Sequence, residues 1–258
     1  MIDWSQLWLL EFIFVRMTGF VLFNPLLGRN NLPGLVKAGF ILVLTMAVYC
    51  TGPELTVAVP EHYLEFSVIL LLELAAGFAL GFILRLFFSV VQTGGGVIDT
   101  QMGITMAQIY DAGSQSNMSV TGSLLNIMMV LIFFTANGHY TLLRILTLSG
   151  ELLPYGTVTL GREVATYTAE IFVSCMLLSI KLALPILAAE LLGEIGMGIL
   201  MKAIPQINAF VINMELKVII GLVLLFFFLT PIHEFLLGME REMLQELERM
   251  LQHLAAGA

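Results

Sequence analysis

"GGGVIDTQMGITMAQIYDAGSQS", residues Gly94–Ser116, holds three consecutive glycines, two aspartates, a scatter of small polar residues and no Lys or Arg, between two long apolar runs. How it is read decides the fold. If its neighbours are membrane helices, Asp99, Gln101, Gln108 and Asp111 cannot face hydrocarbon, because irregular polar backbone at membrane depth survives only where protein buries it or water reaches it. Three glycines let a backbone bend, move or approach another chain closely. The segment 94–122 is therefore either a loop projecting from the membrane or an element that enters a cavity. Long connections without regular structure are chiefly functional or disordered. Met102, Met106 and Met118 add soft, adaptable side chains, which suit a surface that closes and re-forms.

The flanks establish the class. Of 258 residues, 59% are hydrophobic and only 12% charged, and the mean hydropathy is +0.95; a soluble domain has about 45–50% apolar and about 25% charged residues. Such a chain cannot cover a globule with polar surface, so lipid or partner protein must solvate it. An integral membrane protein is expected. The start does not read as a cleavable signal: Asp3 precedes any cationic region, Glu11 and Arg16 interrupt the first apolar run, and no small-x-small site follows.

Several functions are disfavoured. A net charge of -8 leaves little to neutralise phosphates, so nucleic acid is not an expected partner. Cys50 and Cys175 lie far apart in apolar runs and read as free thiols, with a disulfide as the alternative. No Cys-x-x-Cys pair or His/Cys cluster suggests a metal, and no cofactor is expected. His62, His139, His233 and His253 are scattered, and neither a Gly-x-Ser-x-Gly elbow nor a phosphate-cradling Walker loop is present. "GGGVID" lacks dinucleotide-fingerprint spacing and a preceding strand. The chain does not read as an enzyme.

Apolar runs fall at 7–27, 35–50, 64–91, 123–149, 165–193 and 217–237. A spanning helix needs about 20 apolar residues, so six helical segments are expected. Their lengths are irregular. The run 35–50 is short, and 64–91 would extend roughly 40 Å, too long for an upright helix in a ~30 Å core. Asn137-Gly138 breaks the fourth run, and Pro185 kinks or divides the fifth. The predicted fold is all-α, of membrane-type helical hairpins with broken and kinked helices. It comprises a helical domain over 1–238 and a distinct tail over 239–258.

In that tail Met243, Leu247, Met250 and Leu254 form a stripe, joined by Leu244 and Leu251, opposite Glu240, Glu242, Glu246 and Glu248. This predicts an amphipathic helix. Surface helices on membranes are rich in Lys and Arg; this one is acidic, so docking on protein is expected. The cations Arg29 and Lys37, against a 51–63 loop with none, place 28–37 in the cytoplasm.

Glu11, Arg16, Glu73, Arg85, Lys181, Glu190 and Glu194 lie in or against apolar segments, where an ionised side chain costs about 2.5–3.5 kcal/mol on the mildest scale. Glu73, Gly77, Gly81 and Arg85 recur at steps of four along one helix ridge. Gly77-x-x-x-Gly81 permits close approach of another helix. Glu73 and Arg85, three turns apart, cannot pair with each other. Pairing within the chain, pairing with another subunit and an ion pathway all remain open.

Phe14-x-Arg16-x-x-Gly19, Pro25 with Gly28, Pro33 and Lys37, Glu73 with Gly77, "GGGVIDTQMG" and "PILAAELLGEIGMGILMKAIPQINAFVINMELK" together resemble the FliR/T-component family of type III secretion export gates. The resemblance covers nearly the whole chain. It departs before Lys217, where Asn213-Met214-Glu215-Leu216 stands in place of a frequent Gly-Phe-Pro-Leu. The resemblance implies a FliP-like part followed by a FliQ-like part, packed with FliP and FliQ in a hetero-oligomeric helical ring, contacted by FlhB. That ring would lie in the bacterial inner membrane at the flagellar basal body and pass unfolded flagellar proteins. It implies a stopper at 104–118, flexible through Gly94, Gly95 and Gly96, with Met102, Gly103, Met106, Asp111 and Asn117 closing the path. It also implies subunit contacts through Arg16, Glu73, Gly77, Gly81, Arg85, Asp99, Gln101, Lys202, Gln206, Asn208 and Lys217. Two other readings stay open: a small-solute transporter with a site at the broken helices, and a structural assembly scaffold.

Overall fold

A computed structural model describes residues 4–29, 32–51, 62–105, 119–203 and 209–256. Met106, Asp111, Asn117, Gln206 and Asn208, all named above as site residues, lie outside the described residues. Within the described residues there are eight long helices and no strand: α1 Trp4–Phe23, α2 Gly34–Thr51, α3 Tyr63–Met102, α4 Val120–Thr135, α5 Gly138–Leu152, α6 Arg162–Ala203, α7 Ala209–Phe227 and α8 Leu229–Ala256. The fold is all-α. Residues 6–23, 34–51, 63–102 and 162–202 are each long and apolar enough to cross a membrane. Two bent pairs raise the number to six, one at 120–152 bent by 68° and one at 215–255 bent by 60°.

The bend between α4 and α5 falls at the expected Asn137-Gly138. Asn137 adopts φ 62°, a left-handed conformation that asparagine tolerates, and its carbonyl accepts the amides of Tyr140 at 3.0 Å and Thr141 at 3.3 Å. Pro185 lies inside α6, which continues undivided; the preceding and following turns hold the helix, as spanning helices commonly do around proline. The acidic amphipathic stretch from 239 is the end of α8, which starts at Leu229. One expectation is corrected: α3 runs unbroken through Gly94, Gly95 and Gly96 to Met102, so these glycines are helical.

The chain forms two compact units, Met1–Phe87 with Phe133–Val173 and Glu240–Ala258, and Phe88–Ile132 with Ser174–Met239. In the first, Phe12, Ile13, Met17 and Phe20 of α1 and Ala76, Leu80, Ile83 and Leu84 of α3 are fully buried or nearly so. Gly77 and Gly81 make the close helix approach their spacing predicts, and the partner is α1 of the same chain. A Cβ at Gly77 would fall on the carbonyl of Arg16, and one at Gly81 would lie 2.8 Å from the carbonyl oxygen of Phe20. The turn after α1 is held by Asn24, whose side-chain oxygen accepts the amides of Leu26 at 2.7 Å and Leu27 at 3.2 Å, while Lys37 donates to the Gly28 carbonyl at 3.0 Å.

The amphipathic stripe of α8 docks in this unit. Met243, Leu244, Leu247, Met250, Leu251 and Leu254 are all buried, and Tyr167 of α6 donates a hydrogen bond to Glu246. The second unit is packed around Val90, Val91, Ile98, Leu125, Met129, Leu182 and Ile186. Elsewhere large apolar side chains stand open: Leu192, Ile195 and Ile199 on α6 and Phe226 and Phe227 on α7 are each more than 60% exposed.

Candidate functional site

Among the described residues, a buried polar construction stands in each unit. In the first unit, Arg16 on α1 and Glu73 on α3 are both fully buried and form an ion pair, Nε to Oε2, at 2.6 Å. Other groups of the pair are also engaged, Arg16 Nη2 excepted. Arg16 Nη1 donates to the carbonyls of Ser149 at 3.2 Å, in the last turn of α5, and Leu153 at 3.1 Å, just past its end, where the helix dipole favours a cation. Glu73 Oε1 accepts the amide of Gly156 at 2.8 Å; Gly156 has φ 87°, which only glycine adopts freely. The Tyr155 ring lies 4.1 Å from the guanidinium carbon and rests on Gly150, where a Cβ would come within 2.6 Å of the ring. Burial pushes the Tyr155 phenol above its usual range, with the Arg16 charge opposing and Glu73 reinforcing that shift. The phenol therefore stays neutral near pH 7.

Arg16, Glu73, Gly77 and Gly81, expected at subunit contacts, are buried within the chain. The intrachain counter-charge left open for Glu73 is Arg16. Glycine spacing pointed to a helix contact without naming which helix, and pairing across 57 positions is invisible to periodicity. Tyr155 and Gly156 were missed altogether; the Pro154-Tyr155-Gly156 turn composition was the available signal.

In the second unit the end of α3 meets the start of α4. Asp99 is fully buried. Its carboxylate accepts the Ser119 hydroxyl at 2.6 Å and the Thr121 amide at 3.2 Å from each oxygen. Ser119 in turn caps α4, its Oγ accepting the Gly122 amide at 2.8 Å. The glycine triplet has three different surroundings. A Cβ on Gly95 would collide with the Gly122 backbone, one on Gly94 would sit 3.0 Å from the Ser179 carbonyl oxygen of α6, and one on Gly96 would meet nothing within 4 Å. Met102 is fully buried and packs over Gly221 of α7, beside Glu190. It anchors α3 and offers no open surface. Asp99, expected at a subunit contact, is likewise engaged inside the chain.

The other candidates are dispersed. Lys217 pairs with Glu194 across α7 and α6. Gln101 is half-buried, and Lys202 and Arg85 are exposed; among the described residues Arg85 makes no ion pair. Cys50 is exposed and Cys175 buried. Among the described residues no three His, Cys, Asp or Glu side chains gather as metal ligands.

The family model described as "Bacterial export proteins, family 1" matches residues 7–243. Flagellar biosynthetic protein FliR of Bacillus subtilis is 26% identical over 217 residues, covering 83% of each chain. Flagellar biosynthetic protein FliR of Escherichia coli is 28% identical over 211 residues, covering 82% of this chain and 80% of its own length. Yop proteins translocation protein T of Yersinia pestis is 28% identical over 209 residues and 78% of each chain.

Proposed function

The chain belongs to the bacterial export proteins, family 1, and on that premise we propose that it is a core subunit of a flagellar type III secretion export gate. In this reading it assembles with FliP and FliQ, is contacted by FlhB, and helps enclose the channel through which unfolded flagellar proteins leave the cell. It sits in the inner membrane at the basal body. It catalyses nothing itself, and energy comes from elsewhere in the apparatus. The segment 104–118 is the stopper of the closed channel.

The family match over 7–243 carries this reading, because it takes in most of both compact units and joins flagellar and injectisome relatives. Two structural facts support it. Helices α3 and α6 have 40 and 42 residues, roughly 60 Å each at 1.5 Å per residue, about twice the hydrocarbon core of a bilayer. Lipid alone cannot solvate their full apolar length. In addition, the exposed side chains of α6 and α7 form apolar surface of the kind that a partner subunit covers.

Co-expression with FliP and FliQ tests the proposal: the three chains purify as one complex, whereas this chain alone is poorly folded and inert. Saturable uptake of a small solute by the isolated chain in liposomes would replace the gate with a transporter. Deleting 106–117 raises ion leak through the purified complex; an unchanged leak removes the stopper role. Loss of assembly without leak in such variants points to a scaffold.

A further inference from the structure

Lys181 is the one charge in a 19-residue stretch of α6, residues 171–189, bounded by Glu170 and Glu190. At 1.5 Å per residue the stretch is roughly 28 Å long, close to the hydrocarbon thickness of a bilayer. Lys181 stands near its middle, eleven positions from Glu170 and nine from Glu190. A lysine near a membrane surface escapes hydrocarbon by extending its stem to the headgroups. Here either end of the stretch is roughly 13–17 Å away, about twice or more what a four-carbon stem covers.

Nor does the side chain turn inward. Helix α6 buries Cys175, Ser179, Leu182, Ala183 and Ile186, and Ser179 and Leu182 lie against Gly94 of α3. Lys181 is exposed and, among the described residues, makes no ion pair. It sits in an exposed row with Leu177, Leu184, Ala188, Leu191 and Ile195, spaced three and four apart along one helix face. A second polar group opens at the same point. Pro185 has no amide hydrogen and stands four residues on, so the Lys181 carbonyl lacks its helical donor. An ammonium and an undersupplied carbonyl therefore share one position on a face that is otherwise aliphatic. Hydrocarbon satisfies neither.

We propose that Lys181 is a docking point for a partner subunit, and that the element seated on it is a spanning helix carrying a carboxylate. The carboxylate accepts from Nζ and cancels the charge where water is absent, and a hydroxyl or amide beside it serves the Lys181 carbonyl. Charge complementarity selects an acidic helix over an aliphatic one, and the row from Leu177 to Ile195 supplies the apolar seal around the pair. An anionic lipid headgroup is the lesser fit, because Lys181 stands at the depth farthest from the phosphates. This inference rests on the multi-subunit reading above and deepens it by giving the chemistry of one contact. Lys217 differs, since Glu194 of the same chain already meets its charge.

The experiment expresses the full chain with FliP and FliQ and compares wild type with Lys181→Met, Lys181→Arg and Lys181→Glu. The amount of each variant in the membrane and the fraction recovered in the purified complex are measured separately, in detergent supplemented with either anionic or zwitterionic lipid. Methionine keeps most of the stem and removes the charge, so Lys181→Met is expected to enter the membrane at the wild-type level or above. Its recovery in the complex is expected to fall at least about tenfold, as removing one partner of a desolvated ion pair requires. Lys181→Arg keeps most of the recovery, and Lys181→Glu loses nearly all of it. Replacing the acidic residues of the partners' spanning helices by Lys, one at a time, then restores Lys181→Glu at one position. If Lys181→Met assembles like wild type, this inference alone falls and the gate reading stands. A loss confined to anionic lipid also overturns it, and makes a lipid phosphate the occupant. If wild type itself does not co-purify with FliP and FliQ, the gate reading falls and takes this one with it. Should Lys181→Met be missing from the membrane, the charge exchange decides: absence of any position that rescues Lys181→Glu overturns the proposal.

Discussion

Arg16 and Glu73 show how a charge can be tolerated in an apolar molecule. Each is fully buried, and between them they engage two helix-terminal carbonyls, one glycine amide and one aromatic face. Breaking a buried pair by deleting one partner costs about 3–5 kcal/mol, mostly through the charge left behind. Glu73→Gln and Arg16→Ala are each expected to lower the thermal stability of the assembled complex strongly. The double variant should lose much less than their sum, as a double-mutant cycle would register. Additive losses would mean that the two side chains do not depend on each other. Tyr155 supplies a pH test. Its proton is held more tightly in the folded chain than in the unfolded one, so its contribution is complete below the unfolded value near 10 and is lost as pH rises through the higher folded value. Wild type should therefore lose thermal stability above about pH 10 more steeply than Tyr155→Phe; parallel curves would contradict this. The two charges of this group are legible as expensive, but not as a pair, because the group is assembled from three separate stretches of chain, at 16, 73 and 149–156.

Among the elements, α3 and α8 carry the sharpest tests. Gly95 and Gly96 are adjacent, share a helix and differ only in what faces them. Alanine at 96 meets open space and gains the helix preference of alanine over glycine, up to about 1 kcal/mol. At 95 it forces α4 away, at a cost of about 1–3 kcal/mol, typical of overpacking. Thermal unfolding of the complex separates the two, and equal effects would mean that α3 and α4 do not touch there. In α8, Leu247→Ala removes a buried side chain and should cost about 2–5 kcal/mol, while the exposed Glu248→Ala should stay within about 0.5 kcal/mol. Element type was legible throughout from apolar periodicity, and so was the Asn137-Gly138 bend, where turn chemistry is local. The break at Phe228 was missed although Pro231, which lacks an N–H and crowds the carbonyl four residues back at Phe227, was the available signal. The triplet Gly94–Gly96 misled for a physical reason: glycine marks either freedom or crowding, and a linear pattern does not distinguish them.

At the scale of the whole molecule, the exposed apolar faces and the two helices of about 60 Å predict that the isolated chain aggregates or needs detergent, and that partner subunits remove that requirement along α6 and α7. Hydrogen exchange of the complex against the isolated chain would show it as slowed exchange along those helices; no difference would leave lipid as their only solvent. An all-α membrane protein with an acidic amphipathic end and a polar, glycine-led stretch before the fourth helix is legible in the chain alone. Those properties follow from composition and periodicity, which are sums over neighbours along the chain. It took the tertiary structure to decide that Arg16 meets Glu73, that the glycine ridge of α3 serves α1 of the same chain, and that Asp99 holds the start of α4. Such pairings depend on which distant backbone arrives within 3 Å, and no local pattern encodes that arrival.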